Sequence, residues 1–157
     1  MRAETRGAPS VAYVMAGGIV AGSLDIVYAC LFWAIEAGVP AQRILQSVAS
    51  GLLGEASFEG GAATAALGLL LHFLIAISMS AAYYLVARRW PPLGDHAVLC
   101  GAAYGLVLYA VMNCVIVPLS AAGPGSRHPL WVGLTIAVHV FLIGIPIALF
   151  TRRALRA

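Results

Sequence analysis

Four long apolar runs, separated by short polar or glycine- and proline-rich breaks, organise this chain. The first extends from about Val11 to Ala37 and stops at Gly38-Val39-Pro40, where proline cannot continue a helix and glycine suits the turn that follows one. The second covers about Glu59 to Ala87 and ends at Arg88-Arg89-Trp90-Pro91-Pro92. The third covers about Asp95 to Leu119, with Pro118 close to its end, and the fourth about Leu130 to Phe150, followed by Arg152-Arg153. Each has the roughly 20 apolar residues that a helix needs to cross the hydrocarbon of a bilayer. Pro146 sits inside the fourth run and should bend it, which packed neighbours in a membrane accommodate.

The segment from Ala41 to Gly54 differs in kind. Ile44, Val48 and Leu52 recur every four residues beside Leu45, Ala49 and Leu53, while Gln42, Arg43, Gln46, Ser47 and Ser50 take the other side. This is an amphipathic helix too short to span, and it fits either the membrane interface or a helical cap on the bundle. The expected fold is therefore all-α: a four-helix transmembrane bundle with one short amphipathic helix, forming a single membrane domain over residues 1–157. With no gaps, Gly17, Ala21, Cys30 and Pro40 align at one constant offset with Gly101, Gly105, Cys114 and Pro124. The bundle therefore reads as two repeated two-helix hairpins.

Composition agrees with lipid as the solvent. The chain is 62% hydrophobic and 10% charged, with a mean hydropathy of +0.95; a soluble domain needs roughly a quarter of its residues charged. Met1 to Ser10, with Arg2 and Arg6, imitates the start of a signal peptide. The apolar run behind it exceeds the roughly 7–15 residues of a signal core, so it reads as a retained span. All nine basic residues are arginines grouped at the ends of apolar runs. That distribution orients membrane helices and makes no nucleic-acid face. Arg2, Arg6, Arg88, Arg89, Arg152, Arg153 and Arg156 fall on one side; Arg43 and Arg127, with Glu36, Glu55 and Glu59, fall on the other. The arginine-rich side is the cytoplasmic one, so both termini are expected in the cytoplasm of a bacterial inner membrane.

Candidate chemistry lies near the middle of the spans. Span one carries Asp25, span two His72 and span four His139; span three offers Tyr104 and Tyr109, with Asn113 toward its end. An ionisable group in hydrocarbon costs about 2.5–3.5 kcal/mol on insertion scales, so such groups mark function or tight pairing. They also share faces with small residues: Gly17, Ala21, Asp25 and Ala29; Gly60, Thr64, Gly68, His72, Ala76 and Ser80; Gly101, Gly105, Tyr109 and Asn113. His139 shares its face with Thr135. Small-residue stripes are helix–helix contacts, which turns these polar groups inward. A carboxylate alone in such a core takes up a proton, whereas one beside a protonated imidazole stays charged.

Asp25, His72, Asn113, His139 and Tyr109 thus form the candidate site for protons or a small polar ligand. Two other readings stand beside it. One is a redox subunit holding haem b between His72 and His139, or a divalent metal on His72, His139 and Asp25, since a carboxylate with two imidazoles suits zinc or non-haem iron. The other is a polar knot that fixes helix register in a structural or accessory subunit. No nucleophile elbow and no nucleotide-binding glycine loop occurs, so no enzymatic reaction is indicated. Cys30, Cys100 and Cys114 read as small hydrophobes. His96 and His128 read as solvated span ends, and Trp33, Trp90 and Trp131, with Tyr13 and Tyr84, as an aromatic belt. The expected partners are the lipid bilayer and, through glycine stripes left exposed, a second copy or a membrane complex.

From span two to the C-terminus the chain resembles the YagU-type family of small bacterial inner-membrane proteins. The residues that carry the resemblance are His72, Tyr83 and Pro91, then Gly101, Gly105 and Pro118-Leu119, then His139 ahead of Arg152-Arg153. It covers about half the chain, and span one and the amphipathic helix match poorly. The resemblance implies a multi-span fold and supports the two histidines, but supplies no reaction.

Overall fold

The computed structural model describes residues 7–157, with side chains from Ser10 onward. Arg2 and Arg6 of the orientation argument, and most of the segment that imitates a signal peptide, lie outside the described residues. Every regular element within them is helical. Helix α1 spans Gly7–Ala37, α2 Ala41–Leu53, α3 Gly61–Ala87, α4 Ala97–Leu119 and α5 Pro129–Ala154. A 3-10 stretch, Gly54–Phe58, joins α2 to α3, and a single helical turn, Pro92–Asp95, joins α3 to α4. Gly38 and Gly54, at φ of +64° and +60°, end α1 and α2 in the left-handed region where side chains are disfavoured.

Helices α1, α3, α4 and α5 are long and apolar enough to cross a membrane, and they form a four-helix bundle. The chain is a multi-pass membrane protein. Its large apolar side chains point outward, among them Leu70, Leu74, Leu99, Leu106 and Phe141, and small residues take the inside. That inversion follows from the solvent: lipid does not drive leucine inward, so close backbone approach and hydrogen bonds hold the helices together. Gly18 lies against the Ile77 backbone, and Gly22 against Ala76 and Phe73. Gly101 lies against the Gly144 carbonyl, and a Cβ on Gly105 would collide with the carbonyl of His139. Ser80 adds a buried bond across α1 and α3, its hydroxyl donating to the Val14 carbonyl at 2.8 Å.

α1 packs between α3 and α5, and α4 packs on the far side of α5, whereas α3 and α4 have little backbone contact. Those two meet through tyrosines. The Tyr104 hydroxyl donates to the Met79 carbonyl at 2.8 Å, and the Tyr83 and Tyr104 rings lie 4.8 Å apart. The last two turns of α5 also reach α3, which closes the bundle at the end that carries Arg88, Arg89, Arg152, Arg153 and Arg156. At the opposite end α3 and α4 leave a gap.

Helix α2 occupies that end, docked differently from its sequence pattern. Gln46 and Ser50, placed by the pattern on the solvated side, are buried together with Ala49, while Leu52 and Leu53 are exposed. The Leu45 carbonyl lies against Gly68, and Gln46 Nε2 donates to the Gly61 carbonyl at 3.0 Å and to Thr64 Oγ1 at 3.3 Å. A buried amide is acceptable once its donors are satisfied, so hydrogen bonding overrides the amphipathic pattern here. The loop after α4 joins this cap, with the Ala121 amide donating to the Gly51 carbonyl at 3.0 Å. His128 is not simply solvated: its Nε2 lies 3.3 Å from Glu36 Oε1 and ties the start of α5 to the end of α1.

Pro146 does not produce a plain bend. α5 widens into a π-helical segment over His139–Gly144, and α4 does the same over Met112–Ile116, just before Pro118. A proline ring crowds the carbonyl four residues earlier. Those residues, Leu142 and Cys114, both lie within the widened turns, so the π segments are where the crowding is absorbed.

Candidate functional site: a polar cavity between the spans

The gap between α3 and α4 continues inward as a cavity of about 340 Å³. α1 lines it with Asp25, Ile26 and Trp33, α3 with His72, Ala76 and Met79, α4 with Met112 and Asn113, and α5 with Trp131, Thr135 and His139. α2 contributes Ile44, Ser47, Val48 and Gly51 from the capped end. Four of the five residues singled out from the sequence therefore face one space. Tyr109 does not line it. Its ring stands edge-on to His139, with centroids 5.5 Å apart at 87°, and so backs the imidazole. The face of α4 also turns out differently along its length. Gly101 and Gly105 are buried, but within the π segment Asn113 is exposed at the cavity rim, with its Nδ2 donating to the Tyr109 carbonyl at 2.9 Å.

The two histidines are held by backbone oxygens, which fixes their tautomers, because a carbonyl can only accept. His72 Nε2 donates across the helix interface to the Gly22 carbonyl at 2.8 Å. His139, itself buried, donates from Nδ1 to the Thr135 carbonyl one turn earlier, at 2.9 Å. The other ring nitrogens, Nδ1 of His72 and Nε2 of His139, have no hydrogen-bond partner among the described residues. Whenever the ring is neutral, that nitrogen is a lone-pair acceptor. Asp25 sits within electrostatic reach of both rings, of His139 more strongly than of His72, yet forms no ion pair with either. Among the described residues nothing donates a hydrogen bond to its carboxylate.

Such a set is rich in acceptors. It can take up protons, pass them between a carboxylate and two imidazoles, or hold a small molecule that presents hydrogen-bond donors. It is less suited to a metal. Among the described residues no group of three His, Cys, Asp or Glu side chains could hold an ion. His72 also commits its Nε2 to Gly22, leaving only the ring nitrogen nearer the backbone for any iron.

Residues not singled out from the sequence complete the site. The Tyr28 hydroxyl and Thr135 Oγ1 are 3.1 Å apart, which links α1 to α5 beside His139. Tyr28 stacks on Trp131 at 5.3 Å and 8°, and Phe32 and Trp33 pack on the same indole. Trp33 and Trp131 therefore act as a cavity wall as well as lying toward a helix end, whereas Trp90 is exposed as a belt residue would be. The available signal was spacing: Tyr28 lies one turn from Asp25, and Trp131, Thr135 and His139 recur every four residues.

No family model matches the chain, and neither a curated protein nor a solved structure does.

Proposed function

We propose that this is a non-enzymatic protein of a bacterial inner membrane whose cavity binds or relays protons, or binds a small polar ligand, through Asp25, His72 and His139. The observation that carries the reading is a carboxylate that has no hydrogen-bond donor among the described residues, lining one cavity with two imidazoles whose second ring nitrogens have no partner among those residues. A polar knot whose only role is to fix helix register would be expected to satisfy its own members. Asn113 at the rim and Tyr109 behind His139 are supporting residues. The arginine distribution supports cytoplasmic termini, and cysteine accessibility that put Arg88 and Arg152 on opposite faces of the membrane would overturn that topology. Membership of the YagU-type family belongs to the same proposal, through His72, Gly101, Gly105 and His139.

The test uses protein reconstituted in liposomes that carry an internal pH dye. After an external pH jump the wild type equilibrates faster than Asp25→Asn and His139→Gln. Equal rates for wild type, variants and protein-free liposomes would remove the relay. If the thermal stability of wild type and Asp25→Asn also followed the same course between about pH 5 and 8, where histidine titrates, the site itself would be removed. The redox alternative is separated by absorption spectroscopy and metal analysis of the same preparation. A Soret band lost in His139→Ala, or stoichiometric metal, would replace the present reading.

A further inference from the structure

At the end of the bundle remote from the capped cavity, a second cleft of about 300 Å³ opens. The C-terminus of α3 contributes Ala87 and Arg88, the connecting turn Pro91, Gly94 and Asp95, and the C-terminus of α5 Arg152, Leu155 and Arg156. Arginines at helix C-termini interact favourably with the negative end of the helix dipole, which would explain their presence along the chain. It does not explain their selection here. Of the five arginines on this end among the described residues, Arg88, Arg152 and Arg156 line the cleft, whereas Arg89 and Arg153 do not.

None of the three is in an ion pair among the described residues, and the one aromatic partner is the Tyr84 ring, 5.6 Å below the Arg88 guanidinium. Among the described residues Asp95 is the single acidic group in the lining, so against three arginines these residues carry an excess of two positive charges at neutral pH. Guanidinium forks match the oxygens of a phosphate, and three arginines lining one small cleft favour that anion over a carboxylate or halide. The surroundings point to where the phosphate comes from. The remaining wall is apolar (Ala87, Pro91, Leu155), Trp90 beside it is exposed, and the cleft lies at the ends of membrane-spanning helices, at the depth where headgroups lie.

We infer that Arg88, Arg152 and Arg156 form a phosphate-binding site whose occupant is the headgroup of an anionic phospholipid. The site is independent of the Asp25–His72–His139 cavity. Tertiary structure creates it, since Arg88 and Arg152 are far apart in the chain and meet only because the last turns of α5 pack against α3.

The experiment is lipid retention measured by native mass spectrometry on the full chain in mild detergent. Phosphatidylglycerol and phosphatidylcholine are offered in parallel, and inorganic phosphate is added in a separate arm. Wild type should retain phosphatidylglycerol over phosphatidylcholine. Arg88→Gln, Arg152→Gln and Arg156→Gln should each weaken that retention about tenfold, the loss expected for one charge-assisted hydrogen bond. Arg89→Gln and Arg153→Gln remove the same charge from the same end of the protein and should retain lipid as wild type does. Arg152→Lys, which keeps the charge but loses the fork, should fall between. Displacement of lipid by millimolar inorganic phosphate, with the same dependence on the three arginines, would support the phosphate site but assign it to a soluble occupant. Equal losses in all five Gln variants would reduce the cleft to general surface charge and overturn the inference, as would equal retention of the two lipids.

Discussion

The pair α1–α3 and the pair α4–α5 are built alike and behave differently. Both are held by glycines at close approach, and each carries one histidine near its middle. In the first pair both helices remain α-helical throughout, and His72 reaches across to the Gly22 carbonyl on the partner helix. In the second, both helices contain a π segment, and His139 turns back to the Thr135 carbonyl of its own helix. The first histidine pins two helices together. The second is presented to the cavity by a widened turn and held by Tyr109 behind it. What separates the pairs in sequence is two prolines, Pro118 and Pro146, with no counterparts in α3 or beyond the first turn of α1, where Pro9 lies. The comparison assigns rigidity to one wall of the cavity and an adjustable presentation to the other, in keeping with the frequent use of π segments at functional sites.

The largest effect expected from that contrast is on packing. Gly105→Ala and Gly144→Ala drive a methyl group into backbone of the facing helix, which cannot swing aside, and should cost about 3 kcal/mol or loss of the folded bundle. Gly22→Ala meets the Ala76 methyl at 3.0 Å and a Phe73 ring edge at 3.1 Å, so it should cost no more than about 1 kcal/mol. Thermal unfolding in detergent followed by circular dichroism ranks the three. The reverse order would mean that the glycine contacts of the second pair do not hold it.

Pro146→Ala should come next, and on function more than on stability. Restoring an N–H at 146 lets the π segment relax toward α-helix and rotates His139 relative to Asp25. Proton equilibration in liposomes should then fall by up to about 100-fold, the scale of an ångström-sized misplacement, with thermal stability unchanged or raised. Unchanged equilibration would show that the widened turn does not position the ring. His72→Ala should cost about 1 kcal/mol, as interhelical hydrogen bonds in membranes do. His139→Ala should cost less, because its bond lies within one helix and its ring borders a space that already exists. Equal costs would erase the distinction between pin and presenter.

The smallest effect belongs to the capped end. His128 and Glu36 are 40% and 39% exposed, and with the imidazole protonated such an exposed pair contributes about 0–1 kcal/mol. Glu36→Gln should therefore lower stability by about 0.5 kcal/mol at low salt and by nothing measurable at high salt. A larger, salt-insensitive loss would mean that this end depends on the pair.

The sequence by itself determined the membrane-spanning helices, the inward face of the glycine stripes, and Asp25, His72 and His139 as the residues that share a depth. Those properties follow from length, from helical periodicity and from the cost of burying polar groups, all of which act locally along the chain. Tertiary structure alone decided that α2 buries Gln46 and Ser50, that α3 and α4 stand apart, and that Tyr109 sits behind the site with Asn113 at its rim. It also decided that Trp33 and Trp131 form a wall, and that Arg88, Arg152 and Arg156 line one cleft. These depend on which helix lies beside which and, from Met112 and from His139 onward, on π turns that shift the facing of the residues after them. Hydropathy is blind to both, because in lipid an outward leucine and an inward one cost nearly the same, and neighbours are chosen by close fit and hydrogen bonding instead.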